Sequence, residues 1–172
     1  MRITTERLIL RPITVNDLES THAYASDLEN TRYMMFLPNV SIGETEAWLR
    51  TCEEMWLSDA PHHLEFAILL DGAHIGSCTL YPVGGGSAEL GWILNKRYWG
   101  KGYAAEAVRA AMEYGAKERG VHRFFAQCDS ENEASYRLME RLGMCRVPGV
   151  GTRKNRSSGD EERLELTYEI YV

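Results

Sequence analysis

Cysteine is scarce and scattered in this chain. Its four cysteines (Cys52, Cys78, Cys128, Cys145) form no C-x-x-C pair, which excludes a disulfide framework and a cysteine-based metal site and leaves buried thiols as the expectation. None of the five histidines has metal-ligand spacing, so no metal site is expected; His62-His63, after Pro61, reads as a solvated loop pair. No apolar run approaches the roughly 20 residues needed to cross a bilayer. The first residues, Met1 to Arg7, lack the apolar core of a signal peptide, which points to the cytoplasm and away from membranes. No G-x-x-x-x-G-K-[S/T] occurs, which disfavours a P-loop nucleotidase. Excess positive charge is also missing: 19 Lys and Arg against 25 Asp and Glu give a formal net charge of −6. That disfavours nucleic acid as a partner and mildly favours cationic ones such as amines.

What remains is an ordinary globular composition, with 44% hydrophobic and 26% charged residues over 172 positions. That length fits one domain over 1–172, with enough chain to bury a core. Arg7 to Ile13 reads as a strand. Thr14, with Asp17 three residues on, opens a helix through about Ser26. Asn30 to Val40 has no clean period and carries the cluster Tyr33-Met-Met-Phe-Leu37. Ser41-x-x-Glu44 is a capping box for a second helix, in which Trp48, Leu49, Cys52, Met55 and Trp56 are the apolar positions.

From Leu64 the period becomes that of strands: Leu64 to Leu70, His74 to Tyr81 and Ser87 to Leu94, with turns at Asp71-Gly72 and Gly84-Gly-Gly86. Tyr103 to Arg119 is a helix stopped by Gly120. Val121 to Cys128 is a strand, Asn132 to Leu142 a helix stopped by Gly143, and Met144 to Val147 a further strand. Pro148 to Glu162 is glycine-rich and charged and reads as a mobile loop before a closing strand, Leu164 to Val172. The expected fold class is therefore mixed α/β, a sheet of about seven mostly antiparallel strands with helices on both faces.

Within that order, Trp92-Ile-Leu-Asn-Lys-Arg-Tyr-Trp-Gly-Lys-Gly-Tyr-Ala104 passes from strand through a glycine loop into a helix start. Such a junction turns backbone N–H groups and the positive end of a helix toward a phosphate. A tight strand-to-helix turn would use the same glycines merely to relieve strain.

The loop and the element order together resemble the GNAT superfamily of acyl-CoA-dependent N-acetyltransferases, whose pyrophosphate loop has the pattern [Q/R]-x-x-G-x-[G/A]. Here the pattern falls on Trp99-Gly100-Lys101-Gly102-Tyr103-Ala104 and departs from it at Trp99; a shifted reading, Arg97-x-x-Gly100-x-Gly102, also satisfies it. Thr5-Glu-Arg-Leu-Ile-Leu-Arg-Pro12, Glu89-Leu-Gly-Trp-Ile-Leu94 and Asn132-x-x-Ser135 running to Gly143 are similar to the subgroup that acetylates ribosomal-protein N-termini.

The resemblance implies acetyl-CoA as donor, held by backbone of Gly100, Lys101, Gly102, Tyr103 and Ala104, with Trp99 at the loop's start and Lys101 offering an extra charge. It implies main-chain contacts from Ile93 and Leu94 to the acyl arm, and contact from Asn132, which also suits an N-cap. Glu89 is the implied base, because acyl transfer needs a neutral amine and a glutamate in an apolar strand can have a raised pKa. A solvent-facing glutamate is the plain alternative. Where many relatives carry a tyrosine acid, Met139 stands; Ser135 matches the subgroup's serine and Tyr136 is the fallback donor.

The expected activity is acetyl transfer to a primary amine, most simply a protein N-terminal α-amine. A small-molecule amine (polyamine, aminoglycoside, aminoacyl adduct) and a non-catalytic acyl-CoA-binding module are the alternatives. The expected assembly is a monomer or homodimer.

Overall fold

The computed structural model describes residues 1–172. The strands are β1 (Ile3–Thr4), β2 (Leu8–Pro12), β3 (Leu64–Leu70), β4 (Ala73–Gly84), β5 (Ser87–Leu94), β6 (Arg123–Asp129), β7 (Cys145–Arg146), β8 (Gly151–Lys154) and β9 (Glu162–Tyr171). Four helices join them: α1 (Leu18–Ala25), α2 (Ile42–Leu57), α3 (Tyr103–Arg119) and α4 (Glu133–Arg141). The fold class is the expected mixed one, with nine strands where the sequence pattern predicts about seven.

The sheet runs β1-β2-β3-β4-β5-β6-β9-β7, with β8 also pairing β9. Only β5 and β6 are parallel, joined through α3. Alternation along the strands sends one set of side chains to each face. Leu8, Leu10, Phe66, Leu80 and Phe124 pack with Ala107, Val108, Ala111 and Met139 of α3 and α4, while Ala67 packs with Ile13, Leu49 and Cys52 under α1 and α2. The larger core lies on the α3–α4 side, where fully burying each leucine or phenylalanine contributes about 1.5–3 kcal/mol.

The helix starts follow their caps. Asn132 accepts the N–H of Ser135 at 3.3 Å, and Ser41 accepts that of Glu44 at 3.3 Å. The Thr14 box opens a short 3-10 turn, Val15–Asp17, before α1. Trp56 packs edge-on against Phe66, as a core position should.

Two expectations fail. Residues 148–162 form no free loop but supply β8 and a 3-10 turn at Arg156–Ser158. The segment is tied to partners far along the chain: Arg153 donates to the Tyr33 carbonyl (3.1 Å), Ser157 to the Arg32 carbonyl (2.8 Å), and the Arg156 N–H to the Met34 carbonyl (3.0 Å). Cys145 is exposed, because its strand is a two-residue edge; the other three cysteines are buried.

Candidate active site

The parallel strands β5 and β6 stay paired only from Ser87–Arg123 to Glu89–Phe125. Beyond Glu89, β5 continues to Leu94 alongside β4 alone, and a gap opens in the sheet. The Asn95 N–H bonds the Ile75 carbonyl on β4 at 2.9 Å. Since main-chain groups alternate sides along a strand, Leu94 and Trp92 turn theirs to the gap and Ile93 turns its own to β4. Of the expected pair, Leu94 therefore faces the gap and Ile93 does not, although Ile93 still lines the cleft there.

The Leu94 carbonyl is held from two directions. Asn30 donates its Nδ2–H at 2.8 Å and Trp99 its indole N–H at 2.8 Å. Asn30 also accepts the Lys96 N–H at 2.7 Å, and Lys96 pairs with Asp27 and Glu29 at 2.8 Å each. Asn30 lies 64 positions from Leu94 and carries no sequence signal for this role. On the β4 side, a Cβ on Gly76 would come within 2.3 Å of the Ile93 oxygen and 2.7 Å of the Leu94 Cα, so only glycine lets β4 lie this close.

A cleft of about 520 Å³ runs from this gap to the start of α3. Trp92, Ile93, Leu94, Trp99, Gly100, Gly102, Tyr103, Ala104, Asn132 and Ser135 line it, which brings together most of the expected donor-site residues. Gly100 (φ 74) and Gly102 (φ 81) adopt the left-handed conformation, and an added Cβ would meet nothing at Gly100 and only Arg7, at 3.5 Å, at Gly102. No side chain caps α3, so its first N–H groups stay free for an anion, as a pyrophosphate requires. The side chain of Lys101 departs from expectation: it turns to the Arg97 carbonyl (3.5 Å) and the Tyr98 ring (5.8 Å) and lines no part of the cleft.

A second cleft of about 380 Å³ adjoins the first through Tyr33, Met34, Trp92, Asn132 and Ser135. Glu89 lies in it with Glu165 and Arg153, between apolar walls that include Met35, Phe36, Tyr81 and Leu90. Burial and then repulsion from Glu165 raise the Glu89 pKa, with Arg153 partly opposing them. Glu165 is itself raised by burial, against the pull of Arg153 at 3.4 Å. The cluster Tyr33 to Phe36 thus walls this cleft, pinned there by Arg153 and Arg156, with Ser157 holding the carbonyl of the preceding Arg32. Tyr136 lines neither cleft and packs against the main core, whereas Ser135 lines both, so of these two expected donors only Ser135 stands at the junction.

The family model of the acetyltransferase (GNAT) domain matches residues 7–145. The chain belongs to this family. An uncharacterized N-acetyltransferase of Bacillus subtilis, YnaD, is 34% identical over 149 residues, covering 85% of this chain and 84% of that protein. The spermidine N(1)-acetyltransferase of Escherichia coli K12 is 26% identical over 136 residues, covering 78% and 70%. A solved structure of RimL, a ribosomal L7/L12 α-N-protein acetyltransferase in complex with coenzyme A, superposes with a TM-score of 0.84 over 100% of this chain and 98% of that one at 17% identity, which shows a shared fold. Members of the GNAT family use acetyl-CoA as the acyl donor, and no helix of this chain is long and apolar enough to cross a membrane.

Proposed function

We propose that residues 1–172 form one catalytic unit that moves the acetyl group of acetyl-CoA to the α-amine of a protein or peptide N-terminus, with both substrates bound at once. The observation that carries this reading is the acceptor cleft: Glu89, its pKa raised by burial, sits among apolar walls beside the gap in the sheet. Its only companion carboxylate, Glu165, is already paired with Arg153. Such a cleft suits an acceptor with one ammonium group and an uncharged neighbourhood, as a peptide N-terminus with a small first residue has. A polyamine brings further ammonium groups, which need further unpaired carboxylates. The likeness of Thr5–Pro12 and Glu89–Leu94 to the ribosomal-protein subgroup supports the same acceptor.

In the reaction, Glu89 takes a proton from the amine, directly or through water, and the neutral nitrogen attacks the thioester carbonyl. The Leu94 N–H, aimed into the gap, stabilises the negative charge that develops on the carbonyl oxygen. The C–S bond breaks as the C–N bond is completed; Ser135 hydrogen-bonds the departing sulfur, which leaves as thiolate and takes, through water, the second proton that the nitrogen gives up as the amide forms. The backbone of Gly100 to Ala104 holds the pyrophosphate with the α3 dipole, and Asn132 contacts the arm between.

The test is free-thiol release from acetyl-CoA with a panel of acceptors. Peptides with free N-termini should turn over, and the same peptides blocked at the N-terminus should not. Faster turnover of spermidine or an aminoglycoside overturns the acceptor assignment, and no release with any amine overturns the catalytic one.

A further inference from the structure

The segment Thr5–Arg7 lies in neither cleft, yet it is tied to the loop that starts α3. All three guanidinium nitrogens of Arg7 are used there. Nε and Nη2 hold Glu106 Oε2 at 2.7 and 2.6 Å, and Nη1 donates to the Lys101 carbonyl at 3.0 Å. The Arg7 N–H and the Thr5 hydroxyl both donate to Glu106 Oε1, at 2.9 and 2.6 Å. The guanidinium also lies 4.7 Å above the centre of the Tyr103 ring. These contacts join positions about a hundred residues apart and fix the loop from outside.

We infer that Arg7 is a positioning residue for diphosphate binding, setting the orientation of the Lys101–Gly102 peptide and cancelling the charge of Glu106; this rests on the reading of Gly100–Ala104 as the pyrophosphate loop. The first effect is geometric. In a trans peptide the C=O and the next N–H point in opposite directions. Holding the Lys101 carbonyl outward on Arg7 therefore turns the Gly102 N–H away from it, toward the ligand side. Gly102 (φ 81) lacks the Cβ that would otherwise restrict this peptide, so an external tie is what keeps it from rotating.

The second effect is electrostatic. Glu106 is in the first turn of α3, where its carboxylate would repel a bound diphosphate. Burial works against its ionised form, but the Thr5 hydroxyl and the Arg7 N–H and guanidinium hold its pKa below the ordinary range, so it is charged and needs neutralising. Arg7 does this without occupying the cleft.

The experiment compares the binding of coenzyme A and of pantetheine, which shares the thiol arm but has no diphosphate, by calorimetry. Wild type should bind coenzyme A more tightly. Arg7→Ala should weaken coenzyme A about tenfold, the equivalent of one or two good hydrogen bonds, and leave pantetheine unchanged. The double variant Arg7→Ala/Glu106→Gln should regain part of the loss, because the uncompensated carboxylate is gone. Equal weakening of both ligands would mean that Arg7 merely supports the fold, and no weakening of either would mean that it does nothing here; both overturn the inference. If wild type itself binds the two ligands equally, the pyrophosphate reading of the loop falls first, and the role of Arg7 with it.

Discussion

The indole N–H of Trp99 donates to the carbonyl oxygen of Leu94 at 2.8 Å, closing the segment that leads from strand β5 into the glycine loop. The broad family pattern has a glutamine or arginine at this position; here an aromatic ring supplies one donor and a wall of the cleft. The bond fixes the loop against the same residue whose main chain faces the gap in the sheet. Replacing Trp99 by Phe keeps most of the ring and removes only the donor. A single neutral hydrogen bond contributes about 1 kcal/mol, so the KM for acetyl-CoA should rise about fivefold, with global stability changing by no more than about 1 kcal/mol. Steady-state kinetics together with a urea melt check this, and an unchanged KM would remove Trp99 from the donor site.

Gly76 gives a sharper test of the gap. Its missing Cβ lets β4 lie against Ile93 and Leu94, and Gly76→Ala would place a carbon 2.3 Å from the Ile93 oxygen. Backbone must move, at a cost of about 1–3 kcal/mol. The shift falls on Leu94, so kcat should drop by more than the loss of stability explains when both are measured at a temperature where the variant is fully folded. A variant that melts earlier but retains wild-type kcat when folded would show that the Leu94 main chain has no part in catalysis.

Much of this arrangement is legible in the sequence because it is local. The positive-φ glycines of the loop, the Asn132 cap and the period change at Leu64 each declare themselves within a few residues. What is not legible there is carried by contacts between distant positions. Asn30 reaches Leu94 across 64 residues, and Arg153 reaches Tyr33 across 120. A run such as Arg153 to Arg156 reads as solvated when its partners are invisible, although Asn155 is buried and donates to Asp129 at 2.6 Å. The Lys101 side chain turns away from the cleft for a related reason: nearness to a glycine loop in sequence says nothing about which way a long side chain turns. The choice between Ile93 and Leu94 needed the register with β4, which fixes the side each N–H takes.

Glu65 offers a prediction about stability alone. It is buried on β3, accepts a hydrogen bond from Thr79, and has its pKa raised by desolvation, with Ser77 and Thr79 partly offsetting this. A carboxyl with a raised pKa binds its proton more tightly in the folded state, so its contribution is fully favourable below the ordinary glutamate range and is lost as pH rises through the folded value. Glu65→Gln should therefore melt at nearly the wild-type temperature in acid and above it at neutral and alkaline pH. Thermal melts across that range check the sign, and a wild-type advantage that grows with pH would contradict it.

The role of Glu89 is tested most directly by the pH dependence of kcat/KM for a free-N-terminus peptide at saturating acetyl-CoA, measured on wild type and Glu89→Gln. With Glu89 as the base, the wild-type rate rises through a pKa above the ordinary glutamate range, because burial and Glu165 hold it there. The variant should lose that limb and about 10²- to 10⁴-fold in rate, leaving only the dependence on free amine. A variant with the wild-type profile and a rate within a few-fold of wild type would contradict the assignment of Glu89 as the base.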